Sequence, residues 1–122
     1  MDEYITFYRE WLPLDKRDFR ILTMLADIGN FRGNLTALCR YLSLSPGQQK
    51  TNAALRQSIE TLTSNSYITS TLSGRTYQLA IIPKEQPIKV ARRWFDDVMK
   101  ADRFSETVQM VFMLAPILIV SK

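Results

Sequence analysis

Apolar residues recur with a helical period in three successive segments of the chain. The first segment begins at Asp15, a good N-cap residue, and ends at Gly29-Asn30, where both residues tolerate a left-handed conformation. The second segment follows Asn34, another N-cap residue, and places Leu35, Leu38, Cys39 and Leu42 on one stripe. The third contains Leu55, Ile59 and Leu62, which share one helix face. The pattern therefore predicts three consecutive helices.

The start of the third helix has two candidate positions. Ser45-Pro46 is typical of an N-cap followed by a first-turn proline, with Gln48 at the capping-box position. Thr51 or Asn52 would instead begin a shorter helix after a loop. In both cases the helix is expected to end between Ser64 and Ser66.

A β-hairpin is predicted directly after the third helix. Tyr67 to Leu72 is rich in Thr, Ile and Tyr, and Arg75 to Ile82 alternates apolar with polar residues. Ser73-Gly74 between them is a turn dipeptide. Pro83 closes the second strand.

The two ends of the chain give weaker patterns. Tyr4 to Leu12 is predicted to be a strand or a short aromatic helix. A fourth helix is predicted over Ile88 to Lys100 and a further apolar helix over about Ser105 to Leu114. Ile117 to Val120 is too short to assign.

Composition excludes the commonest catalytic and metal-binding arrangements. The chain has 122 residues with one cysteine and no histidine, so Ser-His and Cys-His nucleophiles and every His-containing zinc site are absent. The sequence also has no glycine-rich phosphate-binding motif. We therefore expect a protein that is not an enzyme and that uses no metal or other cofactor.

Hydropathy and cysteine content bear on where the protein works. The longest apolar stretch, Val108 to Val120, contains Gln109 and Pro116 and is shorter than the roughly 20 residues of a membrane-spanning helix. The acidic N-terminus has no signal-peptide pattern. A single cysteine cannot form an internal disulfide, which fits a reducing compartment. These features predict a cytoplasmic protein without a membrane segment.

The net charge of +4 is concentrated in the middle of the chain. Between Asn30 and Ile82 there are five basic residues and Glu60 is the one acidic residue, whereas basic and acidic residues balance in the rest. A concentrated basic surface is what a polyphosphate partner selects. A solvated surface without a partner is the alternative explanation.

The order of three helices and a hairpin resembles the winged helix-turn-helix superfamily of DNA-binding proteins. Leu35 to Ser45 is similar to the family's second helix and turn, with Cys39 at the small-residue position and Ser43 at the usual glycine position. Leu55 to Ile68 is similar to the third helix and the start of the first wing strand. The resemblance covers residues 15 to 82 and departs from the family in the longer turn before the third helix.

The resemblance implies a mainly α fold with a small β-hairpin: a three-helix winged helix-turn-helix core followed by C-terminal helices. Residues 1–87 would form the DNA-binding domain, with the N-terminal aromatic segment, and residues 88–122 a helical association segment. The C-terminal part holds more large apolar residues than a lone winged helix buries. We therefore predict a homodimer formed through residues 88–120.

In this family the third helix enters the major groove of double-stranded DNA and the wing contacts the backbone. Polar residues at the start of helix three are then candidates for base contacts, unless they form an ordinary exposed helix face: Gln48, Gln49, Lys50, Thr51, Asn52, Arg56 and Gln57. Arg75 is a candidate for a phosphate or minor-groove contact, or a gatekeeper charge on an edge strand. Asn34 and Thr36 either hold a phosphate or cap helix two, and Arg32 and Arg40 are further phosphate candidates.

The predicted function is sequence-specific binding of double-stranded DNA. A transcriptional regulator and a replication or maintenance factor of a mobile element both fit this activity. The alternative is a winged-helix module that binds other proteins and not DNA.

Overall fold

The computed structural model of the chain describes residues 4–100 and 119–121. Packing divides the chain into two compact units. The first unit comprises Met1–Phe19 and Lys84–Lys122, and the second comprises Arg20–Pro83. The domain boundary predicted at residues 87/88 falls inside the first unit.

Strands and helices are mixed along the described chain. In order they are β1 (Tyr4–Tyr8), a 3-10 helix (Arg9–Trp11), α1 (Lys16–Ile28), β2 (Phe31–Gly33), α2 (Leu35–Tyr41), α3 (Gln49–Ser64), β3 (Ile68–Ser73), β4 (Thr76–Ile81), β5 (Pro87–Ala91), α4 (Arg92–Met99) and β6 (Ile119–Ser121). Helix α1 begins in the first unit and continues into the second.

The predicted mainly α fold class is wrong. The described residues form a mixed α/β fold with two three-stranded antiparallel sheets, ordered β1-β5-β6 and β2-β4-β3. The sequence patterns gave the hairpin but not β2, β5 or β6. Strands of three residues, such as β2 and β6, are too short to show the alternation that identifies a strand.

The predicted helix over Ile88 to Lys100 is wrong in its first part, where the chain forms β5. Ile88 and Val90 are buried and pair with Phe7 and Ile5 on β1. The buried face of β1 therefore continues across β5, and the helical period applies only from α4 onward. The predicted helix over Ser105 to Leu114 and most of the predicted 88–120 dimer interface lie outside the described residues.

An aromatic cluster forms the core of the first unit. The Phe19 ring lies 5.4 Å from Phe7, 6.5 Å from Trp11 and 6.0 Å from Phe95, measured between ring centroids. Trp11 is fully buried. The N-terminal aromatic segment is thus a strand followed by one turn of 3-10 helix, whose large side chains stabilise this unit.

Side-chain caps fix the start of the first two helices, as the sequence predicts. Asp15 Oδ1 accepts a hydrogen bond from the Asp18 amide at 2.9 Å, and Asn34 Oδ1 accepts one from the Ala37 amide at 2.9 Å. Each bond satisfies an N–H group that has no partner within the helix.

The start of α3 differs from both predicted positions. The helix begins at Gln49 and its N-cap residue, Gln48, makes no side-chain capping bond. Gly47 has φ +84°, a left-handed conformation that keeps Pro46-Gly47 in a turn. Ser43 has φ +57°, so it adopts the backbone conformation for which the resembled family uses glycine.

The core of the second unit combines the three helix stripes with the inner face of the β2-β4-β3 sheet. Its apolar residues are each at most 3% exposed: Ile21, Leu22, Leu25, Phe31, Leu38, Cys39, Leu42, Leu55, Ile59, Leu62, Ile68 and Leu79. Burying each of the large side chains contributes about 1.5–3 kcal/mol. The Cys39 thiol belongs to this core, as expected for a free cysteine on an apolar stripe.

The central strand β4 brings three separate segments to one place. Tyr77 on β4 pairs with Gly33 on one side and with Leu72 on the other. Helix α2 follows Gly33 after the single residue Asn34. The start of α2 therefore lies beside the tip of the β3–β4 hairpin, whose turn is Gly74-Arg75.

Gly33 is required by close packing, so a larger side chain there should destabilise the second unit. A Cβ atom at this position would lie 3.1 Å from Phe31 Cζ and 3.2 Å from Ala37 Cβ. We expect Gly33→Val to lower the free energy of unfolding by about 1–3 kcal/mol, as overpacked cores do, measured by urea denaturation. Arg32→Val on the exposed neighbouring position is the control and should stay within about 0.5 kcal/mol of the parent. Equal stability of the two variants would contradict the packing argument.

Candidate nucleic-acid interface

A groove of about 420 Å³ lies between the start of α2, α3 and the β3–β4 hairpin. We call it the α3–hairpin groove, and its lining residues are Asn34, Leu35, Thr36, Asn52, Arg56, Leu72, Gly74, Arg75 and Tyr77. Five of them are candidate DNA-binding residues from the sequence. The other four were missed, although the register of the hairpin would have placed Leu72 and Tyr77 next to Arg75.

The groove is positively charged. Arg56 from α3 and Arg75 from the hairpin turn line it, both side chains are exposed, and no acidic residue is among the lining residues. These two guanidinium groups are separated in sequence but open onto one cavity. Arginine binds phosphate oxygens with paired N–H donors, so such a cavity favours an anionic group.

Asn52 and Arg56 line the groove because they lie one turn apart on α3. Residues with this spacing share a helix face. The Asn52 side chain is half-buried, and its Oδ1 atom is buried without a hydrogen-bond partner. A buried acceptor without a partner destabilises the protein.

At the start of α2 the structure assigns a capping role to Asn34. Its side chain accepts from the Ala37 amide and its carbonyl oxygen accepts from the Leu38 amide at 3.1 Å. Asn34 therefore caps α2, which is one of the two roles predicted for it from the sequence. Thr36, half-buried, adds a hydroxyl group to the same end of the groove.

The remaining candidate residues do not line the groove. Gln49, Lys50 and Gln57 are exposed on α3, and Gln49 and Gln57 lie two turns apart on one face with the exposed Ala53 between them. The half-buried Thr51, the N-cap residue Gln48 and Arg40 in the last turn of α2 are also outside it. Helix α3 thus presents one row of polar residues to the groove and a neighbouring row to solvent.

Arg32 lies at a second, separate depression of about 320 Å³. This depression is on the outer face of the sheet, where Arg32, Gln78 and Thr71 form one row across β2, β4 and β3. Its lining also lacks an acidic residue. Arg32 and the pair Arg56 and Arg75 are therefore on different surfaces of the second unit.

The part of the chain that the structure describes has neither a metal-binding cluster nor a membrane-spanning helix. Residues 4–100 and 119–121 contain no group of three His, Cys, Asp or Glu side chains placed to hold a metal ion. Within the same ranges, every helix is too short or too polar to cross a membrane.

The buried Oδ1 atom of Asn52 predicts that an apolar residue is better for stability at this position. Asn52→Leu removes a desolvated acceptor, so we expect the free energy of unfolding to rise by about 1 kcal/mol, measured by urea denaturation. The control is Gln57→Leu, an exposed position on the same helix, which should change stability by less than about 0.5 kcal/mol. A loss of stability in Asn52→Leu would show that the Asn52 amide is satisfied in the folded protein.

No protein-family model matches this chain, and comparisons with curated proteins and with solved structures found no match. The similarity to winged helix-turn-helix proteins therefore stays a prediction from the sequence of residues 15 to 82.

Proposed function

We propose that the second unit is a winged helix that binds double-stranded DNA. The observation that carries the proposal is the α3–hairpin groove, where Arg56 and Arg75 converge without an acidic neighbour. The order of elements supports it: a helix, a short strand, two helices and a hairpin whose second strand pairs with the short strand. This order places a polar helix and a hairpin wing side by side, which suits adjacent grooves of a duplex.

In the proposed complex the sugar–phosphate backbone of one strand occupies the α3–hairpin groove. Arg56 contacts the backbone from the helix and Arg75 contacts it from the wing, and Thr36 and Asn52 supply neutral hydrogen-bonding groups. Contacts of this kind fix the position of the protein on the duplex and add affinity that depends strongly on salt.

The solvent-facing row of α3 then faces the base edges in the major groove. Gln49 and Gln57 can each form paired hydrogen bonds with adenine. Ala53 between them is small, so the helix backbone can come close to the bases, and its methyl group suits thymine. Lys50, next to Gln49 in the first turn, can pair with guanine.

This activity suits a cytoplasmic regulator of transcription or a replication or maintenance factor of a mobile element. A buried thiol, with no second cysteine in the chain, is compatible with a reducing compartment. A homodimer would present two such helices to paired half-sites.

Salt-dependent binding tests the backbone contacts. We expect duplex affinity to fall steeply between low and moderate salt, because binding releases counterions from the phosphates. Arg56→Ala and Arg75→Ala should each reduce the slope of log K against log salt by about 1, and the double variant by about 2. Fluorescence anisotropy with a labelled random-sequence duplex measures these slopes.

Arg32→Ala is the matched control, since it removes an arginine from the same unit but from the other depression. Its slope should equal that of the parent. Negligible binding of the parent to every duplex at low salt would refute the proposal and favour a protein-binding module. If all three arginine variants keep the salt slope of the parent, the DNA backbone does not occupy the α3–hairpin groove.

A separate selection experiment tests base reading by α3. Duplexes bound by the parent and by Gln57→Ala would be selected from a random pool and sequenced. We expect Gln57→Ala to lose preference at one or two base pairs, with discrimination reduced by about 1–3 kcal/mol and an unchanged salt slope. Identical selected sequences for both proteins would exclude Gln57 from base contact.

A further inference from the structure

The α3–hairpin groove has an apolar wall in addition to its arginines. Leu72 and Tyr77 are opposed residues of the hairpin, so their side chains lie on the same face of the sheet. Leu79, two residues beyond Tyr77 on this face, is buried in the core. The same face leaves the core at the hairpin tip, where Leu72 is 56% exposed and Tyr77 is half-buried. The half-buried Leu35 of α2 adds a third apolar side chain to the lining.

A single phosphate monoester balances the charge of the groove. Arg56 and Arg75 open onto one cavity whose lining holds no acidic residue. A phosphodiester of the DNA backbone carries one negative charge, so two of them are needed to balance two guanidinium groups. A phosphate monoester carries about −1.5 to −2 at pH 7 and has three acceptor oxygens. It can therefore accept hydrogen bonds from both arginines at once.

Neutral hydrogen-bonding groups complete the lining. Thr36 from α2 and Asn52 from α3 are both half-buried in the groove. A hydroxyl group and a carboxamide can each donate and accept, so they suit the hydroxyl groups of a sugar. The volume of about 420 Å³ lies within the range of roughly 300–1,000 Å³ of small-molecule sites. Cationic, neutral polar and apolar groups thus surround a space for one small ligand.

We propose that the α3–hairpin groove binds a free nucleoside 5′-monophosphate, which competes there with the DNA backbone. A nucleotide carries a phosphate monoester, a hydroxylated sugar and a flat ring in one molecule. The two arginines hold the phosphate, the neutral polar groups face the sugar, and the base packs on Leu72 and Tyr77. The competition rests on the proposed DNA binding, whereas binding of the nucleotide does not.

Isothermal titration calorimetry of the full chain without DNA tests nucleotide binding. The probes are adenosine, guanosine, cytidine and uridine 5′-monophosphates, and the matched partial ligands are the four nucleosides and inorganic phosphate. We expect at least one monophosphate to bind with a dissociation constant below about 1 mM. Its nucleoside and inorganic phosphate should bind at least about tenfold more weakly, because each lacks one set of contacts. The absence of saturable binding by all four monophosphates overturns the proposal.

Three arginine variants and one leucine variant locate the ligand. Arg56→Ala and Arg75→Ala should each weaken binding of the monophosphate at least about tenfold, because a charge-assisted hydrogen bond is lost. Leu72→Ser, at an exposed position, should weaken it at least about threefold and leave the binding of inorganic phosphate unchanged. Arg32→Ala removes an arginine from the other depression and should bind like the parent. Unchanged nucleotide affinity in Leu72→Ser, or an equal loss in Arg32→Ala, overturns the proposed site.

Displacement of a labelled duplex tests the competition. Fluorescence anisotropy of the bound duplex should fall to that of the free duplex as the monophosphate is added, with an inhibition constant equal to the calorimetric dissociation constant. Sodium chloride at equal ionic strength is the control and should displace less duplex. If the duplex stays bound at saturating nucleotide, the competition is overturned and DNA binding stands. If the parent binds a nucleotide but no duplex, DNA binding and the competition fail and the nucleotide site stands.

Discussion

The second unit depends on the pairing of β4 with both of its neighbours. Gly33, Tyr77 and Leu72 form one row across the sheet, so the segment before α2 and the tip of the hairpin are held together. This row determines that the start of α2 borders the hairpin and that a groove forms against α3. Gly33 occupies this row because a side chain there would be too close to Phe31 and Ala37.

The α3–hairpin groove contains features that do not serve stability. Asn52 Oδ1 is buried without a partner, and two arginines open onto one cavity with no acidic residue in its lining. Leu72 on the hairpin is more than half exposed. The unpartnered Asn52 acceptor has an unfavourable free energy in the isolated protein.

Much of the local structure of the described residues could be predicted from short stretches of sequence. The caps at Asp15 and Asn34, the apolar stripe of α2 and the β3–β4 hairpin depend on residues close together in the chain, although the hairpin turn is Gly74-Arg75 and not the predicted Ser73-Gly74. The start of α3 was not predicted, because Gln48 lacks a capping bond and the left-handed Gly47 set the boundary instead. For the groove, Asn34, Thr36, Asn52, Arg56 and Arg75 were candidates from sequence, whereas Leu72 and Tyr77 needed the strand register.

The sequence by itself determined the helices of the second unit, its hairpin and the concentration of positive charge between Asn30 and Ile82. Only the tertiary structure decided that the fold is mixed α/β, since β2, β5 and β6 exist through pairing with distant strands. It also decided that Arg56 and Arg75 share a groove while Arg32 does not. The physical reason is that helices form by bonds between near neighbours, whereas a short strand is stable only beside its partner.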